Sequence, residues 1–173
     1  MPLQLPTQTL RIYALGQFRV ERLQGNDWSA VVNRTWHRRR ARALLGCLLS
    51  CTGRRLGREQ AMEALWPDLD METAANRLNG AVHELRQILE PEIARPAASR
   101  MLRLERDVFE LADRTQIWVD AEAFESLLKE ANSLFGKKGN NDSTQQSLSI
   151  DKANRIEQLM EDAATLYSGD YLL

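Results

Sequence analysis

The sequence contains few of the residues from which metal sites and many catalytic sites are built. It has two histidines and two cysteines among 173 residues. Cys47 and Cys51 stand four apart in an apolar run, so both are expected on one helix face as buried small hydrophobic residues. A metal site takes about four nitrogen or sulfur ligands, and only His37 and His83 could be added. We therefore expect neither a bound metal nor a cofactor.

Enzyme motifs and membrane segments are also missing from the sequence. There is no glycine-rich phosphate loop, no nucleophile motif and no cluster of histidines with carboxylates, so we do not expect an enzyme. Apolar runs such as Ala43–Leu49 are far too short to cross a bilayer. Without a signal-peptide pattern at the start, the expected location is the cytoplasm, with no membrane partner.

Lysine is absent from the first 112 residues, where arginine is abundant. This part contains 17 arginines against 13 acidic residues, for a net charge of +4. Residues 113–173 contain six basic and 11 acidic residues, for a net charge of −5. The asymmetry indicates that only the first part meets a polyanion. Arginine is suited to bidentate contacts with phosphate and guanine.

The first 32 residues have the alternation of β-strands. Leu10, Ile12 and Ala14 alternate with their neighbours, and a second strand is predicted over Phe18–Leu23. After a turn cluster, Trp28–Val32 is the candidate for a third strand. A small antiparallel sheet is therefore expected at the N terminus.

Three helices, a hairpin and two further helices are predicted next. The helices are centred on Ala41–Cys51, Ala61–Trp66 and Ala75–Leu89, and the last two are joined by a few residues, as in a helix-turn-helix. Asp70 is a candidate N-cap for the third helix. Leu102–Leu104 and Val108–Leu111 then flank a turn, which predicts a β-hairpin in the position of a wing.

These elements predict an α+β winged-helix domain over residues 1–112. An N-terminal antiparallel sheet, three helices and a C-terminal hairpin wing compose it. Residues 113–173 are expected to begin an all-helical domain, with helices around Ala123–Ala131 and Ile156–Tyr167. The polar stretch Gly136–Ser149 between them is predicted to be a mobile loop. Because two helices do not make a domain, we expect a fragment of a longer protein.

The third helix, about Glu72–Leu89, carries the candidate base contacts. Its core face is assigned to Leu78, Val82, Leu85 and Leu89, and Glu84 is expected on or near the opposite, solvent-facing side. Asparagine and arginine recognise adenine and guanine edges in the major groove, and glycine permits a close approach of the backbone. The candidate base contacts are Asn76, Arg77, Asn79, Gly80 and His83.

Arginines around the helix starts and in the hairpin are the candidate phosphate and minor-groove contacts. The alternative for each of them is an ordinary solvated surface charge. The candidate phosphate contacts are Arg38, Arg39, Arg40, Arg54, Arg55 and Arg58. The hairpin, about Met101–Leu111, contributes Arg103 and Arg106 as candidates for the minor groove.

Several short sequence motifs occur in the order known from one family of regulators. They are Ala43-Leu44-Leu45, Ala64-Leu65-Trp66-Pro67-Asp68, Ala75-Asn76-Arg77-Leu78, His83-Glu84-Leu85-Arg86 and Val119-Asp120-Ala121-Glu122-Ala123-Phe124-Glu125. The first four resemble the OmpR/PhoB-type winged helix, in the version of SARP-type activators. The last resembles the opening of the TPR-like bacterial transcriptional activator domain that follows it. Leu166-Tyr167-Ser168-Gly169-Asp170-Tyr171-Leu172 resembles the end of the first helix pair of that domain, so the resemblance spans residues 10 to 173.

The resemblance implies sequence-specific binding of double-stranded promoter DNA and recruitment of RNA polymerase. It also implies a homodimer on direct repeats, and a polymerase-contact loop formed here by Pro67, Asp68, Leu69 and Asp70. Many relatives carry a basic residue where this chain has Glu84, so its site preference is expected to differ. The alternative is a winged helix that docks another protein, which an acidic third helix would favour and to which Glu84 gives slight support.

Overall fold

The computed structural model describes residues 8–16, 18–31, 39–136 and 145–170, and within them the fold is α+β. Two small sheets and five α-helices make up this part of the chain. The helices are α1 (Arg39–Ser50), α2 (Arg58–Leu65), α3 (Met71–Leu89), α4 (Asp120–Gly136) and α5 (Gln145–Leu166). No helix among the described residues is long and apolar enough to span a bilayer.

The strands form one four-stranded and one three-stranded sheet. They are β1 (Leu10–Tyr13), β2 (Arg19–Gln24), β3 (Asp27–Ala30), β4 (Arg55–Gly57), β5 (Leu102–Glu105), β6 (Val108–Leu111) and β7 (Ile117–Val119). The first sheet has the order β3-β2-β1-β7 and the second the order β4-β6-β5. The pairs β2–β3, β4–β6 and β5–β6 are antiparallel, and Leu56 lies opposite Phe109. The predicted N-terminal strands and the hairpin are confirmed, although β3 ends at Ala30 and Val32, the predicted end of the third strand, lies outside the described residues. Strands β4 and β7 were not expected.

Contacts divide the chain into two compact units. One comprises the residues up to Leu10 and Glu21–Ile117, and the other Arg11–Val20 and the residues from Trp118 onward. The domain boundary predicted at residue 112 stays a prediction.

The core of the first unit forms where α1 packs against α3. Leu44, Leu45 and Leu48 of α1 and Leu78 and Leu85 of α3 are fully buried. Their spacing places each set on one helix face, and burying a leucine side chain contributes about 1.5–3 kcal/mol. The three predicted helices are therefore confirmed, with the predicted stripe of α3 at their centre.

The start of α3 is defined by its N-cap. The Asp70 carboxylate accepts a hydrogen bond from the backbone N–H of Thr73 at 2.9 Å, as predicted. Beyond the other end of the helix, the Glu90 carboxylate accepts the N–H groups of Arg100 and Met101 at 3.0 and 3.1 Å. These bonds tie the segment after α3 to its end, immediately before the hairpin begins at Leu102.

The second unit is a pair of packed helices and a short N-terminal segment. Ala131 of α4 and Leu159 and Ala163 of α5 are buried. The Asp120 carboxylate accepts the backbone N–H of Ala14 at 2.7 Å. Gly16 has a φ of 93°, and a Cβ there would lie 2.9 Å from Ser168, so only glycine fits.

The prediction of a mobile loop over Gly136–Ser149 is wrong at its ends. Gly136 is the last residue of α4, and α5 already begins at Gln145. The low apolar content suggested a loop, but Gln145 and Gln146 are good helix formers and no proline interrupts the segment. Residues 137–144 lie outside the described residues.

Candidate functional site

The side of α3 that faces solvent carries most of the candidate base contacts. Asn76, Arg77, Asn79 and His83 are exposed, while Gly80 is half-buried. Four hydrogen-bonding side chains thus lie together along one helix, with the leucine stripe holding the other face in the core. A Cβ on Gly80 would lie 3.7 Å from the Arg40 guanidinium, an ordinary contact, so Gly80 is not required for local packing.

Glu84 does not lie on this exposed side, which corrects the expectation from the sequence. It is buried, with 6% of its surface exposed. Its carboxylate receives two hydrogen bonds from the Arg40 guanidinium, at 2.7 Å from Nη2 and 3.2 Å from Nε. The negative charge is therefore neutralised inside the fold, and α3 does not present it to a ligand. The ion pair also occupies Arg40, which was predicted to contact phosphate.

A basic cleft lies between the start of α1, the end of α2 and the start of α3. Arg39, Arg40, Trp66 and Arg77 line it, and its volume is about 460 Å³. Arg39 and Arg77 are exposed and converge here, although they are 38 positions apart in the sequence. The sequence placed Trp66 only at the end of the second predicted helix, Ala61–Trp66. Its position directly before Pro67 predicts the end of the helix, but nothing in the sequence indicates that it lines a cleft.

Two further arginine candidates lie near the start of α2. Arg55 in β4 is exposed, and Arg58 is the first residue of α2. The Arg58 Nη2 donates a hydrogen bond to Asn79 Oδ1 at 3.0 Å. The structure thus brings a predicted phosphate contact and a predicted base contact together. Arg38, also a predicted phosphate contact, lies outside the described residues.

Arg54 is not available to a ligand, in contrast to its neighbour Arg55. It is buried, with 5% of its surface exposed. Its guanidinium donates to the carbonyl oxygens of Ala112 at 2.6 Å and Ile117 at 3.1 Å. We therefore correct the expectation of a phosphate contact at Arg54, because its hydrogen bonds join the segment before β4 to Ala112, directly after β6, and to Ile117 at the start of β7.

Arg22 and Arg86 also use their guanidinium groups inside the first unit. Arg22 donates to the carbonyl oxygens of Ile88 and Leu89 at the end of α3. Arg86 donates to the carbonyl oxygen of Leu102 at 3.0 Å. Burial lowers the pKa of both guanidinium groups, and nearby acidic residues oppose that shift. Some of the arginines in the first 112 residues therefore use their guanidinium groups in hydrogen bonds that stabilise the fold.

The hairpin presents its two arginines differently. Arg103 in β5 lies 3.4 Å from the Glu110 carboxylate across the strand pair. Arg106 is exposed at the turn, where it and Asp107 have positive φ values of 50° and 59°. Two left-handed residues in a two-residue turn match the right-handed twist of a hairpin. Arg106 is thus the better placed of the two to contact a ligand at the tip.

The segment between α2 and α3 is a short polar turn. Pro67, Asp68 and Asp70 are exposed, and Leu69 is half-buried. The hydrogen bonds from Thr73 lower the pKa of the Asp70 carboxyl. Asp70 therefore remains an anion at neutral pH, beside the positive end of the α3 dipole.

The cysteines are less buried than predicted. Cys47 and Cys51 are both free and half-buried. Burial raises the pKa of the Cys47 thiol, with a smaller contribution from Cys51, so Cys47 is held in the protonated form. The described residues contain no group of three or more histidine, cysteine or acidic side chains that could hold a metal ion.

Comparison with known proteins gives no match. No family model matches the sequence, and neither a curated protein nor a solved structure matches the chain.

Proposed function

We propose that this chain is a sequence-specific double-stranded DNA-binding transcription regulator whose first 112 or so residues act as a winged helix. The resemblance of its short sequence motifs to those of SARP-type activators supports this proposal. The element order agrees with it, since α2 and α3 are joined by a short turn and a hairpin follows α3. A helix-turn-helix places its second helix in the major groove.

The observation that carries the proposal is the exposed side of α3 beside the basic cleft. Asn76, Arg77, Asn79 and His83 offer hydrogen-bonding groups that can contact base edges. Arg39 lines the cleft beside Arg77, so a backbone phosphate bound by Arg39 would lie next to the base-contacting guanidinium of Arg77. Base contacts and phosphate contacts are thus available on one surface.

In this arrangement α3 enters the major groove and the hairpin follows the adjacent minor groove. Arg39 and Arg55 neutralise phosphates, and Arg106 at the hairpin turn contacts the minor groove. Arg103 plays a smaller part because Glu110 already balances its charge. Arg40 and Arg54 support the fold instead of binding DNA, since their guanidinium groups bind internal acceptors.

The regulatory part of the proposal rests on the family resemblance. We propose an activator that binds direct repeats as a homodimer and recruits RNA polymerase through the turn formed by Pro67, Asp68, Leu69 and Asp70. Exposed carboxylates at Asp68 and Asp70 give this turn a negative surface that a basic polymerase segment would fit. The α4–α5 pair begins the helical activator domain. No cofactor is required for DNA binding.

The test must distinguish DNA binding from the alternative, which is a winged helix that docks another protein. Its slight support was Glu84, and that carboxylate is buried against Arg40. We expect selection from random duplexes to enrich a short repeated site. Arg77→Ala should then lower specific affinity by about 1–3 kcal/mol and relax one base position.

The matched control is Arg95→Ala, because Arg95 is an exposed arginine beyond the C-terminal end of α3. It should leave both affinity and base preference unchanged. Equal losses for Arg77→Ala and Arg95→Ala would show that the proposed face of α3 does not contact DNA.

A further inference from the structure

The hydrogen bond between Arg58 and Asn79 restricts what Asn79 can offer to a base. The guanidinium can only donate, so the Asn79 amide oxygen is necessarily the acceptor, at 3.0 Å from Nη2. The amide NH₂ group keeps both of its donors. An asparagine that recognises adenine alone uses its oxygen for the adenine N6 amine and its NH₂ for N7. Here the Arg58 guanidinium uses one of the two lone pairs of that oxygen and places a positive charge beside the other.

Arg58 is well anchored for this role. It is the first residue of α2, and its backbone N–H donates to the carbonyl oxygen of Asp107 at 2.8 Å. The preceding Gly57 N–H donates to Gln60 Oε1 at 3.1 Å. The start of α2 is therefore tied both to the hairpin turn and to its own first helical turn. The anchored backbone of Arg58 keeps its guanidinium within hydrogen-bond reach of Asn79.

We propose that Arg58 and Asn79 act together as a pair of hydrogen-bond donors that recognises guanine. The inference rests on the proposed function, because it requires α3 to lie in the major groove. Guanine presents two adjacent acceptors there, N7 and O6, whereas adenine presents N7 beside the N6 donor. The amide NH₂ and the neighbouring guanidinium match the first pattern. They oppose the second, because the adenine amine, itself a donor, would have to approach the amide oxygen beside the guanidinium cation.

Removing the Arg58 side chain should therefore have an effect that removing a simple phosphate contact would not have. A phosphate contact contributes equally on every sequence, so its loss weakens binding uniformly. A residue that positions Asn79 changes the identity of the preferred base. Removing the guanidinium takes the cation away from the amide oxygen, and Asn79 can then make the two-bond contact with adenine.

The test is a base-preference profile of the full chain and its variants, measured by selection from random duplexes and titration of single-base variants. Asn79→Ala identifies the base position that Asn79 contacts, because the base preference at that position should be lost in this variant. At that position the wild-type chain should favour guanine over adenine by about five- to 150-fold, the usual range for two-bond discrimination. Arg58→Met should move the preference toward adenine. Combining it with Asn79→Ala should abolish the preference again.

Two further variants keep the test decisive. Arg58→Lys keeps the charge but not the fork of donors, so it should keep the salt dependence while losing part of the guanine preference. Arg55→Met, which removes an exposed arginine of β4, should weaken all sequences alike. Circular dichroism and thermal melting confirm that each variant is folded.

The outcomes separate the two proposals. A uniform loss with Arg58→Met, or a wild-type preference for adenine at the Asn79 position, would overturn the guanine inference and leave the proposed DNA binding intact. If the folded wild-type chain enriches no sequence at all, both proposals are overturned.

Discussion

Replacing Arg54 and, separately, Arg55 by methionine should give opposite results, although the two arginines are adjacent. Arg54 is 5% exposed, and its guanidinium donates to two backbone carbonyl oxygens. A hydrogen bond to a charged group contributes about 1.5–3 kcal/mol. Ala112 is half-buried, so water can replace part of its bond, whereas Ile117 is buried. We therefore expect Arg54→Met to lower the free energy of unfolding by about 2–4 kcal/mol.

The Arg55 variant is the matched control. Arg55 is exposed on β4, so its replacement should change stability by less than about 0.5 kcal/mol. It should weaken binding to all DNA sequences and reduce the slope of log affinity against log salt by about one. The Arg54 variant, measured below its melting temperature, should bind DNA with unchanged salt dependence.

Urea denaturation followed by circular dichroism gives the stability of each variant, and fluorescence anisotropy in a salt series gives the DNA affinity. If Arg54→Met were as stable as the wild type and lost affinity with salt dependence like that expected for Arg55→Met, Arg54 would be a phosphate contact. The buried guanidinium of Arg54 would then reach DNA despite its internal hydrogen bonds.

Three other predictions concern the ion pair, the helix cap and the hairpin turn. Arg40→Met should lower the free energy of unfolding by about 1–3 kcal/mol, which is less than for a fully buried pair because the Arg40 side chain is 41% exposed. Glu84→Gln should lower it by a smaller amount, and urea denaturation measures both. The reverse order would contradict the burial of Glu84. The pKa of Asp70 is lowered in the folded state, so the stability that its carboxylate contributes is complete above the unfolded pKa and is lost as the pH falls through the lower folded pKa. In Asp70→Asn, the melting temperature should no longer show this loss below about pH 4. A pH profile of melting temperature identical to that of the wild type would argue against the cap. Asp107→Gly should raise stability by up to about 1 kcal/mol, because φ is positive there, and a lower melting temperature would count against this turn geometry.

The helices of the first unit could be predicted because their apolar spacing is long and regular. The face of α3 opposite Leu78 and Leu85 followed from that spacing, and its asparagines and Arg77 are exposed as expected. Strands β4 and β7 have three residues each, too few for an alternation to be visible. The start of α5 was missed because polar residues in a helix resemble those of a loop.

The roles of individual arginines could not be predicted from the sequence. Arg54 and Arg55 are identical neighbours, and only the fold buries one and exposes the other. Glu84 is separated by 44 positions from Arg40, so no local pattern reveals the ion pair. The contact between Arg58 and Asn79 likewise joins two helices. Composition can suggest a basic surface, but tertiary contacts decide which guanidinium groups remain available to a ligand.

The central claim is that the exposed side of α3 contacts DNA, and fluorescence anisotropy tests it most directly. The full chain and Arg77→Ala should be titrated with selected and random duplexes over a salt series. We expect affinity that falls steeply with salt for both duplexes, tighter binding to the selected site, and loss of that advantage in the variant. Absence of binding by the folded wild-type chain even at low salt would contradict the account.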